Sequence, residues 1–107
     1  KKYRLVDTDT KLVYGRKLFR IQALVSFGDV KAGDLGGYIE KEENLARDGD
    51  AWVFGDALVF GNARVSDAAQ VFGAAQVFGD AQVFGDARVS GKAWVSGDVQ
   101  VFGAAQV

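Results

Sequence analysis

The chain has no cysteine and no histidine. Without cysteine it can form neither a disulfide framework nor a thiolate metal site, and the composition is compatible with the cytoplasm. Without histidine it lacks the side chain that most often serves as general base and metal ligand. No apolar run approaches the length of a membrane span, and no charged-then-apolar leader opens the chain, so a soluble protein with no membrane partner is expected. The chain begins on Lys1 and Lys2 without a methionine and stops inside a repeat at Val107; a trimmed chain is expected, with further residues that carry part of the function.

The formal net charge is −1 over 107 residues, enough chain for one modest domain. In the second half, Arg64, Arg88 and Lys92 lie among Asp50, Asp56, Asp67, Asp80, Asp86 and Asp98, so no basic nucleic-acid footprint exists and no nucleic-acid partner is expected.

What is present is a hexapeptide. Residues 49–107 read GDAWVF, GDALVF, GNARVS, DAAQVF, GAAQVF, GDAQVF, GDARVS, GKAWVS, GDVQVF and GAAQV. Alanine or, once, Val99 stands at one site, and valine always follows two residues later, so each hexad carries a short strand with one apolar face. The Gly-Asp, Gly-Asn or Gly-Ala pair supplies a tight corner. Strand and corner repeated every six residues close a triangle, and eighteen residues later the chain lies over itself, at about 4.8 Å per coil. The expected fold is all-β, a left-handed parallel β-helix behind an amino-terminal strand cap. Residues 1–36 form the cap and a Gly-rich loop, and residues 37–107 form the helix.

Within the cap, Tyr3 to Val6 and Leu12 to Tyr14 are expected to pair around a turn at Asp7-Thr8-Asp9-Thr10, and Lys17 to Val25 forms a further strand. Phe27 to Tyr38 reads as a loop punctuated by Gly28, Gly33, Gly36 and Gly37; with no Lys-Ser or Lys-Thr pair after it, it is not a phosphate loop. Stepping back by sixes from Ala51 places Leu45 and Ile39 in the alanine register as degenerate first repeats.

Register also assigns the outside. The first face carries Trp52, Gln70, Arg88 and Gln106, the second Leu58, Gln76 and Trp94, and the third Arg64, Gln82 and Gln100. After each valine comes Phe54, Phe72 and Ser90 on the first face, Phe60, Phe78 and Ser96 on the second, and Ser66, Phe84 and Phe102 on the third. Stacked rings stabilise neighbouring coils by about 0.5–1.5 kcal/mol per pair. The same residues, Trp52, Phe54, Leu58, Phe60, Phe72, Phe78, Phe84, Trp94 and Phe102, would also make apolar strips for a second subunit or a partner. A parallel ladder leaves its terminal coils unpaired. The cap is expected to cover the amino end, and the carboxyl-terminal coil to stack on another molecule.

Residues 39–107 resemble the hexapeptide-repeat family. That family is best known for trimeric acyltransferases using a histidine base and for metalloenzymes binding zinc through three histidines; neither set has a counterpart in this chain. Asp80 and Asp98 should be stacked, but a solvated turn carboxylate is a poor base at neutral pH. Threonine occurs only as Thr8 and Thr10, which excludes a threonine array for binding ice. The stretch KLFRIQALVSFGDVKAGDLGGYIEKEENLARDGDAWVFGDA is similar to hexapeptide-repeat proteins of phages, prophages and their bacterial hosts. That resemblance implies a phage-associated or bacterial cytoplasmic protein with no assigned activity.

The expectation is a non-enzymatic scaffold without cofactor or metal, self-associating as a homo-oligomer through its aromatic strips or its last coil. Two rivals follow from other classes: a ligand sink or inhibitor of host machinery binding between subunits, and a degenerate acyltransferase-like protein completed by a partner.

Overall fold

A computed structural model describes residues 2–107. Strand β1 (Tyr3–Val13) turns into β2 (Arg16–Ala23), a loop follows, and β3 (Leu35–Ile39) leads through a 3-10 turn at Glu42–Asn44 into the repeats. There the chain forms two-residue strands: β4 (Trp52–Val53), β5 (Leu58–Val59), β6 (Arg64–Val65), β7 (Gln70–Val71), β8 (Gln76–Val77), β9 (Gln82–Val83), β10 (Arg88–Val89), β11 (Trp94–Val95) and β12 (Gln100–Val101). They stack in parallel as three sheets, in the orders β4-β7-β10, β5-β8-β11 and β6-β9-β12. Partners such as Val53 and Val71 are eighteen residues apart. The chain is thus a three-sided β-solenoid, and the outward faces fall as the register requires.

Its interior is a column of alanines and valines. Ala51, Ala57, Ala63, Ala69, Ala75, Ala81 and Ala87 are fully buried, as are the valines from Val53 to Val89. Small and medium side chains alternate because a narrow triangle leaves no room for more; overpacking would cost roughly 1–3 kcal/mol.

The ladder has a polarity. The N–H groups of each coil donate to carbonyls of the following one, as in Gln70 to Ala87 (3.0 Å) and Phe72 to Val89 (2.9 Å). Carbonyls of the first coils therefore face the amino-terminal segment, which supplies side-chain donors. Lys2 Nζ donates to the carbonyls of Gly49 (3.1 Å) and Ala51 (2.8 Å), and the Tyr3 hydroxyl to those of Glu42 (2.9 Å) and Leu45 (2.7 Å). Asn44, fully buried, accepts from the N–H groups of Glu40 and Lys41 and donates to the carbonyls of Gly61 and Ala63. Backbone groups with no ladder partner are thereby satisfied.

The cap departs from expectation in three places. Asp7 to Thr10 is not a turn but a bulge within β1, where the pairing with β2 shifts between Val6 and Thr10. Asp9 is held across the sheet by Arg20 Nε (2.7 Å) and the Tyr38 hydroxyl (3.2 Å). The hairpin turns instead at Tyr14 and Gly15, both at positive φ (49° and 76°), as a two-residue connection with right-handed strand twist requires.

Gly36 and Gly37, expected in a loop, lie within β3. A β-carbon at Gly36 would fall 2.5 Å from the Val53 carbonyl oxygen, and one at Gly37 2.6 Å from that of Ala57. Glycine is there for close approach of backbone to backbone.

Ile39 and Leu45, placed in the alanine register by steps of six, pair instead with Val59 and Val65, twenty residues on. They take valine positions, and two extra residues are absorbed between Leu45 and Val53. β3 pairs antiparallel with β2 and parallel with β5, so one six-stranded sheet, β1-β2-β3-β5-β8-β11, runs from cap into solenoid.

Candidate interaction surface

The large outward side chains come together in three rows, one at each edge of the prism. Phe54 and Phe72 meet edge-to-face at 6.4 Å, and Phe84 stacks on Phe102 at 5.3 Å with an interplanar angle of 11°. On the second face the row is longest: Tyr14 lies 5.9 Å from Phe60, Phe60 stacks on Phe78 at 5.0 Å and 4°, and Trp94 closes edge-to-face on Phe78 at 6.1 Å. Ring follows ring because equivalent residues lie one coil apart, close to the thickness at which aromatic faces touch.

Three of the nine residues expected on this surface are not available to a partner. Trp52 is 1% exposed, under Tyr3 (6.2 Å) and Phe27 (5.3 Å). Leu58 and Phe60 are 6% and 4% exposed, in a small core with Leu18 and Tyr38. The physical cause is the shared sheet: β2 continues β3 at the top of the second face and lays Leu18 over that corner, while the loop after β2 brings Phe27 down on the first face.

The other six behave differently. Phe54, Phe72, Phe78 and Phe84 are half-buried, and Trp94 and Phe102 are 61% and 56% exposed. On the second face burial thus falls from Phe60 through Phe78 to Trp94, away from the hairpin. Between Leu58 and Trp94 sits Gln76, whose Oε1 is buried with no hydrogen-bond partner, a cost of about 1–3 kcal/mol.

A polar fringe borders this row. Asn62 Nδ2 donates to Asp80 Oδ1 at 3.3 Å, Lys41 Nζ to Asn62 Oδ1 at 3.0 Å, and Arg16 pairs with Glu40 at 2.9 Å. A hollow of about 280 Å³ lies between this fringe and the rings of Phe60 and Phe78. Asp80 is thus drawn into an amide contact with Asn62. Among the described residues no group of three His, Cys, Asp or Glu side chains is gathered to hold a metal ion, and no helix is long and apolar enough to cross a membrane.

A second arrangement was not legible as a site in the sequence. Asp29 of the Gly-rich loop hangs over the first face, where Gln70, Arg88 and the corner aspartates Asp50 and Asp86 line a cleft. The only sequence signal is the spacing, since Asp50, Ala68 and Asp86 share one corner of successive coils.

With this geometry in hand, the likeness to known proteins is local and consistent. A family model described as the YdcK beta solenoid repeat matches residues 81–97, a stretch that spans β9 to β11. No curated protein matches the chain. The match supports a repeat of the β-solenoid kind.

Proposed function

We propose that this protein is a non-enzymatic scaffold that self-associates through the aromatic row of its second face. The observation that carries the reading is the partial cover of that row. The chain's own hairpin buries Phe60 and Leu58 beneath Leu18, while Phe78, continuing the same row, is only half-buried and Trp94 beyond it lies open. A second copy laid against Phe78 and Trp94 would extend the cover that the hairpin begins, removing a ring surface too continuous to be ordinary scattered exposure. Phe84 and Phe102 on the third face form a shorter row of the same kind.

A binding role is favoured over catalysis because the sequence supplies neither histidine nor cysteine. Winding in the left-handed sense, membership of the hexapeptide-repeat proteins, and a phage- or prophage-associated role in the bacterial cytoplasm complete the proposal. They rest on the regular hexads and the leader that precedes them. Rigid stacked coils suit such a scaffold, since each coil is fixed by its neighbours and the outer faces keep a constant spacing.

Light scattering on the full chain tests this directly. At roughly 100 µM, a hundredfold above the Kd of a micromolar interface, a homo-oligomer is expected, and Phe78→Ser with Trp94→Ser should return it to monomer with the circular dichroism spectrum kept. A strict monomer at that concentration, or an oligomer indifferent to both substitutions, overturns the second-face interface.

A further inference from the structure

The first face holds a cleft that the aromatic packing does not use. Two adjoining hollows of about 260 and 240 Å³ share Asp29, Phe54 and Gln70. Their walls differ in chemistry: the first is completed by the ring of Phe72, the second by Asp50, Asp86 and Arg88.

The repeat explains the shape. Asp50, Ala68 and Asp86 occupy one corner in three successive coils, so at about 4.8 Å per coil the two carboxylates stand roughly 10 Å apart with only a methyl group between them. Ala68 is the notch. The loop above is fixed by reciprocal backbone bonds between Phe27 and Val30 (2.9 and 2.8 Å), and Gly28, at φ 51°, lies over Asp50, where an added β-carbon would make an ordinary contact with its Cβ at 3.5 Å. Asp29 is therefore held over the face by a rigid turn.

Charges of both signs line the cleft. Among the described residues, Arg88, Asp29 and Asp86 take part in none of the ion pairs, which all lie in the cap and the first coil, while Asp50 also feels the Lys2 ammonium that bonds the carbonyls on either side of it. A simple cation entering the cleft would meet Arg88, and a simple anion would meet three carboxylates. A molecule carrying both charges meets each with its opposite, and the Phe54–Phe72 side accepts an apolar arm.

We propose that this cleft binds a zwitterionic small molecule of the α-amino-acid class with an apolar side chain. Its ammonium lies between Asp29 and Asp50, its carboxylate pairs with the Arg88 guanidinium, and its side chain rests on Phe54 and Phe72. Gln70, on the floor of both hollows, offers an amide to either charged group. This site is separate from the second-face row, so its occupancy does not depend on oligomeric state.

The probe is L-phenylalanine, titrated into the isotopically labelled full chain by NMR alongside phenethylamine, which lacks the carboxylate, and 3-phenylpropionate, which lacks the ammonium. Expected are saturable shifts confined to residues near Asp29, Gln70 and Arg88, with the two single-charge analogues weaker by about tenfold each, the effect of one charged contact. Ala68→Leu, which fills the notch from outside the core, should abolish the shifts while the melting temperature holds. Arg88→Gln should make L-phenylalanine and phenethylamine bind alike. The proposal is overturned by the absence of saturable shifts up to about 10 mM, the weak end of specific recognition. Equal binding of all three compounds, or undiminished binding to Ala68→Leu, overturns it as well.

Discussion

Asp67 stands at the corner where Gly85 stands one coil later, and its Oδ2 accepts the Gly85 N–H at 3.0 Å. It holds φ at 60°, a left-handed value that the other corners of the column give to glycine. Aspartate is among the few side chains that tolerate this region, because a short carboxylate can bond locally. Asp67→Ala loses the bond and keeps the backbone strain, so a loss of about 1–2 kcal/mol is expected in urea unfolding. Asp67→Gly removes the bond and the strain together and should lie within about 1 kcal/mol of the parent. Equal losses for the two would show that strain plays no part.

Tyr3 gives the fold an alkaline limit. Burial, reinforced by the Glu42 charge, raises its hydroxyl far above the ordinary value of about 10. A pKa raised on folding means that the unfolded chain gives up the proton first, so the associated stability is complete below pH 10 and falls as pH rises beyond it. Lys2, beside it, runs the other way: burial lowers its pKa against the pull of Asp50 and Asp48, so its contribution rises with pH. The stability difference between parent and Tyr3→Phe isolates the first effect. It should shrink steadily above about pH 10, and a constant difference up to pH 11.5 or so would sink the assignment.

Asn44 closes the first coil with both halves of its amide. Asn44→Asp keeps the acceptor for Glu40 and Lys41 but leaves the carbonyls of Gly61 and Ala63 facing a carboxylate. A loss of about 2–4 kcal/mol is expected, from two unmet acceptors and a buried charge. Faster hydrogen exchange at residues 40–46 should accompany it.

Among the described residues, Gln76 is the one whose side chain works against the repeat, since its Oε1 is buried without a partner between Leu58 and Trp94. Gln76→Leu continues the apolar ladder from Leu58 and should raise stability by about 1 kcal/mol, visible as a higher melting temperature. A lowered one would mean that the amide bonds something this geometry does not include.

The hexads were transparent because each is its own signal. Alanine, valine and glycine recur at fixed steps, and only one stacking makes all of them consistent. The cap was not, because its decisive contacts are long-range. Asp7-Thr8-Asp9-Thr10 has the composition of a turn, yet Arg20 and Tyr38 hold Asp9 within a bulged strand. Gly36 and Gly37 look like loop residues until Val53 and Ala57 arrive beneath them. The same holds for the surface: register placed Trp52, Leu58 and Phe60 on the outside, and nothing local showed that Phe27 and Leu18 would cover them.

The sequence by itself determined a three-sided solenoid of eighteen-residue coils, its alanine and valine interior, and which residues share each outer face, because those follow from a periodicity the chain repeats. Tertiary structure alone decided which parts of those faces stay open, how the carbonyl end is satisfied by Lys2, Tyr3 and Asn44, and that a cleft of mixed charge forms under Asp29. Each of these depends on where a non-repeating segment folds back on the repeats, and that is fixed by contacts between residues far apart in the chain.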